Sequence, residues 1–547
     1  MSTDKSEQDH LKRHLGHHQK GAHHPDSHRS LVRSTSIISL GTLGSRILGF
    51  LRDIILARLM GTGMQADAFF VALKIPNLFR DLVGEGATNA AVVPVMSEYK
   101  EKKDPQAFWH FVSVILALSL VVLSVLTILG ILLSPLIVRM IVPGFMADPE
   151  KLNLTIHLTK LMFPYLVFIG LTAYGVGILS TFRSFLIPAL APCFFNLALI
   201  VSALIASRTM EEPVFGLAVG VLIGGVLQLV IHIPPLLKMG ITFKWPKTLN
   251  HPGAQKIGRL LIPRMLGSGI YQFTVFIDNF CASLSHIVGP GGISAIYYAN
   301  RIIQFPMGIF SIALASAVLP TLSELATKKD IPSLKKTVVF SLENIFFIMC
   351  PTTVILLLLS NPIIRILFQR GEFGAYSTDI TSWTLAYYSI GLFSFGGIKI
   401  LVTVFHSLQD TKTPVKVAGF CFLINATLNF LLMGPLKIGG IALASSISGT
   451  IDFLILFYLI DKKLEGLNSG LFPYFCKVTF ASAMTGVFEF WAWNRFFFSH
   501  EAVKLAVIGF SGFVFYLIVC LILKVHQARK IWEWILSDKG KYFEHGS

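Results

Sequence analysis

The chain has 547 residues, 53% of them hydrophobic and only 14% charged, with a formal net charge of +16 and a mean hydropathy of +0.67. A soluble chain carries roughly 25% charged residues. Here apolar runs of 18 or more residues recur from about residue 34 to residue 523, far too many for one buried core helix. These features exclude a soluble enzyme, a disordered scaffold and a single-pass receptor, and the fold class expected is an all-α polytopic membrane protein. The basic residues lie between the apolar runs rather than in one patch or motif, which excludes nucleic acid as a partner.

Residues 1–33 form a polar tail holding His10, His14, His17, His18, His23, His24 and His28. With no cysteine or carboxylate spacing to fix a geometry, it reads as a solvated tail rather than a metal site. The first apolar run is too long for a signal peptide, so no cleavage is expected. Fourteen spans follow, at about 34–57, 67–98, 108–140, 155–181, 186–207, 214–237, 257–286, 293–325, 338–360, 378–408, 415–434, 439–460, 471–494 and 502–523. Several exceed the roughly 20 residues needed to cross, so those helices tilt, bend or protrude. Cys193, Cys281, Cys350, Cys421, Cys476 and Cys520 are scattered, almost all within apolar runs, and read as small core hydrophobes rather than disulfide or zinc ligands.

Alternate inter-span segments, from the N-terminal tail through KEKKD at 100–104 to the C-terminal tail, hold about 28 Lys and Arg, against about nine in the opposite loops. Both termini are therefore expected on the cytoplasmic side. The chain also repeats itself. AAVVPVMSEY (90–99) parallels ASAVLPTLSEL (315–325), ADAFFVALKIPN (66–77) parallels ISAIYYANRIIQFP (293–306), and VFGLAVGVLIGG (214–225) parallels IGGIALASSISG (438–449). The offsets cluster near 223–227 residues and preserve span parity, which implies two parallel six-helix halves with a substrate site between them. The expected division is a tail (1–33), an N-lobe (34–240), a C-lobe (241–465), two further helices (466–525) and a second tail (526–547).

An ionisable residue inside a span normally faces a cavity or a partner. Arg46, Gly49 and Asp53 share one face of span 1, with Arg52 a step round. They form either an Arg–Asp brace or an anion-binding wall. Span 2 carries Asp67, Lys74, Arg80, Asp81 and Glu85, with Pro76, Gly84 and Gly86 to bend it, as a span lining a wet cavity requires. Span 7 places Arg264 and Asp278 on one face, fourteen residues apart. Span 8 sets Arg301 beside Asn300 and Gln304, close to the repeat position of Lys74, and span 10 contributes Lys399 near its middle. Arginine offers planar bidentate contacts suited to phosphate oxygens, so a cavity gathering these cations points to an anionic substrate. Asp278, Glu343, Asp452 and Glu489 are candidates to carry a coupling ion. No GxxxxGK[ST], HExxH or GxSxG motif occurs, so a transporter without cofactor is expected, driven by the membrane potential or an ion gradient.

SRILGFLRDIILARLMGTGMQADAFFVALKIPNLFRDLVGEGATNAAVVPVMSEY (45–99), YYANRIIQFPMGIFSIALASAVLPTLS (297–323) and SLQDTKTPVKVA (407–418) closely resemble the MurJ (MviN) lipid II flippases. That family belongs to the exporter superfamily that includes multidrug MATE transporters, and the resemblance runs from about residue 31 to at least 460. It implies two lobes around a central cationic cavity, with the two C-terminal helices forming a hydrophobic groove. The implied substrate is lipid II, the undecaprenyl-diphosphate-linked disaccharide-pentapeptide, moved from the cytoplasmic to the periplasmic leaflet of the bacterial inner membrane. Implied partners are membrane lipids and cell-wall synthesis proteins. The resemblance places functional positions at Arg46, Arg52, Asp67 and Arg301, with Lys74, Arg80, Glu85 and Lys399 at further matching polar positions. Asn300 and Gln304 stand where some relatives carry acidic residues, with Arg264 and Asp278 as candidate local substitutes. A MATE-like small-molecule exporter, a flippase for another polyprenyl-diphosphate-linked glycan and a non-transporting scaffold remain as alternatives.

Overall fold

A computed structural model describes residues 25–80, 86–467 and 470–536, and no strand occurs among them. Apart from the single turn Ser285–Val288, twenty α-helices are formed by the described residues. They are α1 (Pro25–Met60), α2 (Met64–Arg80), α3 (Gly86–Lys102), α4 (Pro105–Ile141), α5 (Pro149–Met162), α6 (Tyr165–Thr181) and α7 (Leu186–Thr209). Next come α8 (Pro213–Lys238), α9 (Pro252–Ser283), α10 (Gly292–Pro306), α11 (Ile312–Thr327), α12 (Ile331–Leu358), α13 (Ser360–Phe368) and α14 (Ala375–Ile390). The series ends with α15 (Leu392–Ser407), α16 (Lys412–Leu436), α17 (Ile438–Lys463), α18 (Leu471–Arg495), α19 (Glu501–Ile522) and α20 (His526–Leu536).

Among the described residues, ten helices are long and apolar enough to cross a membrane, or eleven if α14 and α15, bent by 47° at Gly391, count as one. The count of fourteen is therefore not reached on length and apolarity. The other three expected spans, at 34–57, 67–98 and 257–286, are charged, and each includes residues whose side chains lie outside the described residues. The second is described on either side of residues 81–85, as α2 and α3; those five residues, with the Asp81 and Glu85 expectations, lie outside the described residues. Helix α1 also begins at Pro25, ahead of the expected edge at 34.

Local chemistry explains where several spans begin. The Asp104 carboxylate accepts the Ala107 N–H at 2.8 Å ahead of Pro105, and Asp148 accepts the Lys151 N–H at 3.1 Å ahead of Pro149. Asp330 accepts from Ser333 in the same way, just before Pro332. A side-chain acceptor meets an orphan helix N–H while proline supplies a ready φ and lacks a donor of its own. In the loop before α16, Asp410 accepts from the backbone and hydroxyl of Thr413, and the Lys463 ammonium at 2.9 Å holds its carboxyl down to about 2.

Helix contacts fall into two groups. In the first, α7 packs on α1 and α8, α6 on α8, and α2 on α5. In the second, α17 packs on α16, α14 and α15, and α10 on α14. Helix α18 bridges α12 and α19. The groups meet mainly where α9 touches α3 and α4, and where α10 touches α2. Large apolar side chains left bare on the outside, such as Leu132, Phe472 and Phe510, suit hydrocarbon rather than water. The described cysteines are all free thiols, four of them buried.

Helices α16 and α17 approach backbone to backbone, because a Cβ on Gly440 would fall on the Leu432 carbonyl. Gly440→Ala is expected to cost about 1–3 kcal/mol, read as a lowered thermal midpoint in detergent. Gly434→Ala, with nothing within 4 Å of its Cβ, is expected to leave that midpoint unchanged.

Candidate functional site: a cavity between the two helix groups

A cavity of about 880 Å³ lies between the groups, lined from α1, α7, α9, α10, α11 and α14 to α17. Its charged lining consists of Arg46, Arg52, Arg301 and Lys399 with Asp53, Asp278 and Asp452. These charges are segregated. Arg52 and Arg301 meet at Asp53 on the α1 and α10 wall and Arg46 of α1 lies against Gly308, while Asp278 and Asp452 belong to α9 and α17.

The cationic wall is built around the Asp53 carboxylate, which is completely buried. Arg52 donates to its Oδ1 from Nε at 2.9 Å and from Nη2 at 2.7 Å, and the Tyr297 hydroxyl donates to the same oxygen at 2.9 Å. Arg301 reaches across from the other group, its Nε 2.7 Å from Oδ2. That contact is an ion pair off the hydrogen-bond line, so neither atom gains a directed bond from it. Arg301 also donates to the Tyr297 hydroxyl at 2.9 Å. The remaining guanidinium nitrogen of Arg52 donates to Asn196 Oδ1 at 2.9 Å, and the Asn196 amide donates back to the Ser45 carbonyl at 3.0 Å. One carboxylate thus holds two arginines, and Arg46 adds a third cation. The two sequence alternatives meet here, since Arg52 and Asp53 brace each other while the wall as a whole keeps a cationic surplus. Arg46 fits because Gly308 has no side chain, as a Cβ there would lie inside its guanidinium. Gly308 belongs to a π-helical turn at Met307–Ser311, an irregularity that recurs at functional sites.

On the opposite wall Asp278 accepts from Asn429 at 2.7 Å and from Ser445 at 3.3 Å, and Asn425 bonds both of those partners at 3.2 Å. Asn429 Oδ1 and Asp452 Oδ1 are buried without a hydrogen-bond partner. This set of oxygens is the kind a hard cation takes. Among the described residues no cluster of three or more His, Cys, Asp or Glu is placed to hold a metal ion.

Beyond the cationic wall the groups are zipped shut. Moving about 15 Å along α1 from Arg52, Thr62 bonds Ser377 at 2.8 Å, and the Glu372 N–H donates to the Arg58 carbonyl at 2.9 Å. Gly144 donates to Ser283 Oγ at 3.0 Å. A Cβ on Gly61, Gly144 or Gly291 would strike the facing backbone. At the other end of α9 the groups meet again, through the Lys256–Glu98 ion pair and Tyr99 against His251.

Arg46, Arg52, Asp53, Arg301 and Lys399 therefore come together in the cavity. Asp67 lies instead in the zipped seam, bonded to Ser294 and Lys151. Lys74 lines a separate crevice with Val275 and Asn279 of α9, within electrostatic reach of Asp278, and Arg80 closes α2. Neither lines the cavity, so the repeat-related pair Lys74 and Arg301 does not present two cations to it. Glu85 and the Arg264 side chain lie outside the described residues. Of the other coupling candidates, Glu343 pairs with His526 at 3.2 Å, and Glu489 is buried on α18 against Gly512 of α19. Sequence reading missed Asn196, Tyr297 and Lys151. Tyr297 stands beside Arg301 in the YYANR run, but uncharged residues inside a span carry no comparable signal.

The family described as "Lipid II flippase MurJ" matches residues 56–508. A probable lipid II flippase MurJ of Buchnera aphidicola is 34% identical over 507 residues, covering 91% of this chain and 98% of its own. Its counterpart in Vibrio cholerae is 33% identical over 514 residues, covering 91% and 97%. The solved structure of a lipid II flippase MurJ in an inward closed conformation superimposes with a TM-score of 0.75 at 27% identity, covering 89% of this chain and 98% of that one. An inward-facing MATE family multidrug transporter shares the fold alone, with a TM-score of 0.65 at 14% identity over 77% of this chain and 94% of its own.

Asp53→Ala would leave Arg52 and Arg301 facing each other with no counter-ion, a loss expected to cost about 3–5 kcal/mol. Arg301→Ala is expected to cost less, since Asp53 keeps Arg52 and the Arg301 side chain is 34% exposed. Chemical unfolding of both variants and of the double variant checks this. The double variant is expected to lose less than the sum of the two singles.

Proposed function

The chain belongs to the lipid II flippase MurJ family, and from that we propose that it carries lipid II across the bacterial inner membrane, from the cytoplasmic to the periplasmic leaflet, with both of its termini cytoplasmic. The single observation that supports this most is the cationic wall, where Arg52 and Arg301 share the one carboxylate of Asp53 and Arg46 adds a third cation to the same cavity. A diphosphate carries the charge that such a wall lacks, and guanidinium forks match its oxygens in pairs. The sugar-peptide headgroup sits in the wet cavity while the polyprenyl tail stays in lipid, alongside α18 and α19. Lys399, which also lines the cavity, supplies a further point charge to the headgroup.

Transport proceeds by alternating access. The seam from Thr62 to Ser377 keeps one side shut while the headgroup loads from the other, and the two helix groups then rock about the site. A diphosphate drawn against Arg301 competes with Asp53 for that arginine and so loosens the tie between α1 and α10. Loading and opening are thereby linked through one charge. Asp278, with Asn425, Asn429 and Ser445, is the candidate to take the coupling cation. One elementary charge moved through 100 mV yields about 2.3 kcal/mol, enough to bias such an equilibrium.

The test uses cells depleted of their own lipid II flippase and expressing this chain or its Arg52→Ala variant, matched for level in the membrane. Lipid II exposed on the outer leaflet is then read by its accessibility. The intact chain is expected to restore outward lipid II, and Arg52→Ala to restore less than about a tenth as much. Equal restoration by both would remove the cationic wall from the mechanism. Ion-coupled efflux of a cationic dye without lipid II export would favour the exporter reading instead.

A further inference from the structure

Lys151 is the only cation in the zipped seam that is itself buried among the described residues, at 7% exposure, and nothing in the flipping mechanism uses it so far. Its ammonium lies 2.7 Å from Asp67 Oδ2 and 4.2 Å above the centre of the Phe145 ring. Phe145 belongs to the short turn whose Gly144 meets Ser283 of α9. Lys151 is thus held between a carboxylate and an aromatic face, at the place where the two helix groups touch.

The other oxygen of Asp67 faces away from Lys151 and across the seam. It accepts the Ser294 backbone N–H at 2.9 Å and the Ser294 hydroxyl at 2.6 Å. Ser294 is the third residue of α10, which begins at Gly292 after Gly291 in a left-handed turn. The first N–H groups of a helix have no partner within it and carry a partial positive charge. No side chain of α10's own N-cap residue serves them, so Asp67 caps this helix from the opposite group. The ends of α2 and α10 are joined through a single carboxylate.

We propose that Lys151 is a positioning residue for this latch, one that compensates and orients the Asp67 carboxylate in a buried seam and thereby sets the balance between the shut and open states. Helices α2 and α5 pack on each other within one group, so the Lys151–Asp67 pair travels intact when the groups part. The bond to α10 is the one that breaks. Closing the seam buries the Asp67 carboxylate, and burying an ion without its counter-ion is costly. Lys151 removes most of that cost, while an uncompensated Asp67 favours the state in which water reaches it. Loss of the lysine should therefore open the seam rather than merely loosen the fold. This proposal deepens the alternating-access reading above and rests on it, but its test needs no lipid II.

Spin labels at Met146→Cys and Arg370→Cys, in a background lacking the native cysteines, report the distance between the two groups on the zipped side in the reconstituted full chain. Both positions are exposed and lie on opposite groups. Lys151→Met is expected to shift the ratio of long to short distances about 5- to 30-fold toward long, the effect of one or two kcal/mol. Lys151→Arg, which keeps the charge, is expected to restore the short distance. Asp67→Asn is expected to shift the ratio as well, and Lys151→Met added to it is expected to do little more, because both act through one bond. A Lys151→Met distribution matching the unsubstituted chain would overturn the proposal. So would an equal loss of the short distance in Lys151→Arg, or full additivity with Asp67→Asn. If the distances shift as described while lipid II export is absent even in the unsubstituted chain, the latch stands and the substrate assignment falls.

Discussion

A buried carboxylate with two arginines on it organises this molecule. Asp53 has no access to solvent and neutralises at most one of the guanidiniums that reach it. The cavity wall is therefore cationic by construction, whatever the rest of the chain does. The same carboxylate is also the place where α1 and α10, from different helix groups, are tied together. Under the proposed function, anion recognition and closure depend on one set of atoms, so a ligand that draws on the arginines acts on the closure as well. Tyr297 adjusts this arrangement, because its hydroxyl meets Asp53 and Arg301 at 2.9 Å and Arg52 at 3.1 Å, while Asp53 Oδ2 and Arg301 Nε are left with their ion pair alone.

The seam beyond it works on a different principle. Close backbone approach at Gly61, Gly144 and Gly291 brings the groups into contact without side chains between them. Asp67 then caps a helix that belongs to the other group. Such contacts are strong when the geometry is met and weak when it is not, which suits the parting and re-forming that the proposed alternating access asks of this surface. The cavity side has the opposite character, with long flexible cations and open space.

Much of the architecture was legible because a span has to be apolar. Helix positions from residue 105 onward match the apolar runs to within a few residues, apart from ends that extend further, such as α12 beginning at Ile331. Where charge entered a span the reading was less secure for the same reason. Lys74 and Arg80 do not line the cavity, although the charges of span 2 were expected to. Periodicity tells which face a residue takes but not what that face meets, and α2 turns toward the seam and α9 rather than toward the cavity. Asn196 and Tyr297 could not be singled out, since their roles come from contacts more than 140 residues apart in the chain. Lys151 falls outside the expected span at 155–181, because Asp148 and Pro149 start its helix six residues before the apolar run does.

The most direct measurement of whether the cationic wall reads the diphosphate is binding of two ligands to the purified chain, lipid II and an analogue in which a neutral linker replaces the diphosphate. Recognition through Arg46, Arg52 and Arg301 requires lipid II to bind at least about tenfold more tightly, a difference of roughly 1.4 kcal/mol, and to lose that advantage as salt is raised. Equal affinity for the two ligands at every salt concentration would mean that the arginines serve only to hold the helix groups together, and that the headgroup is recognised elsewhere.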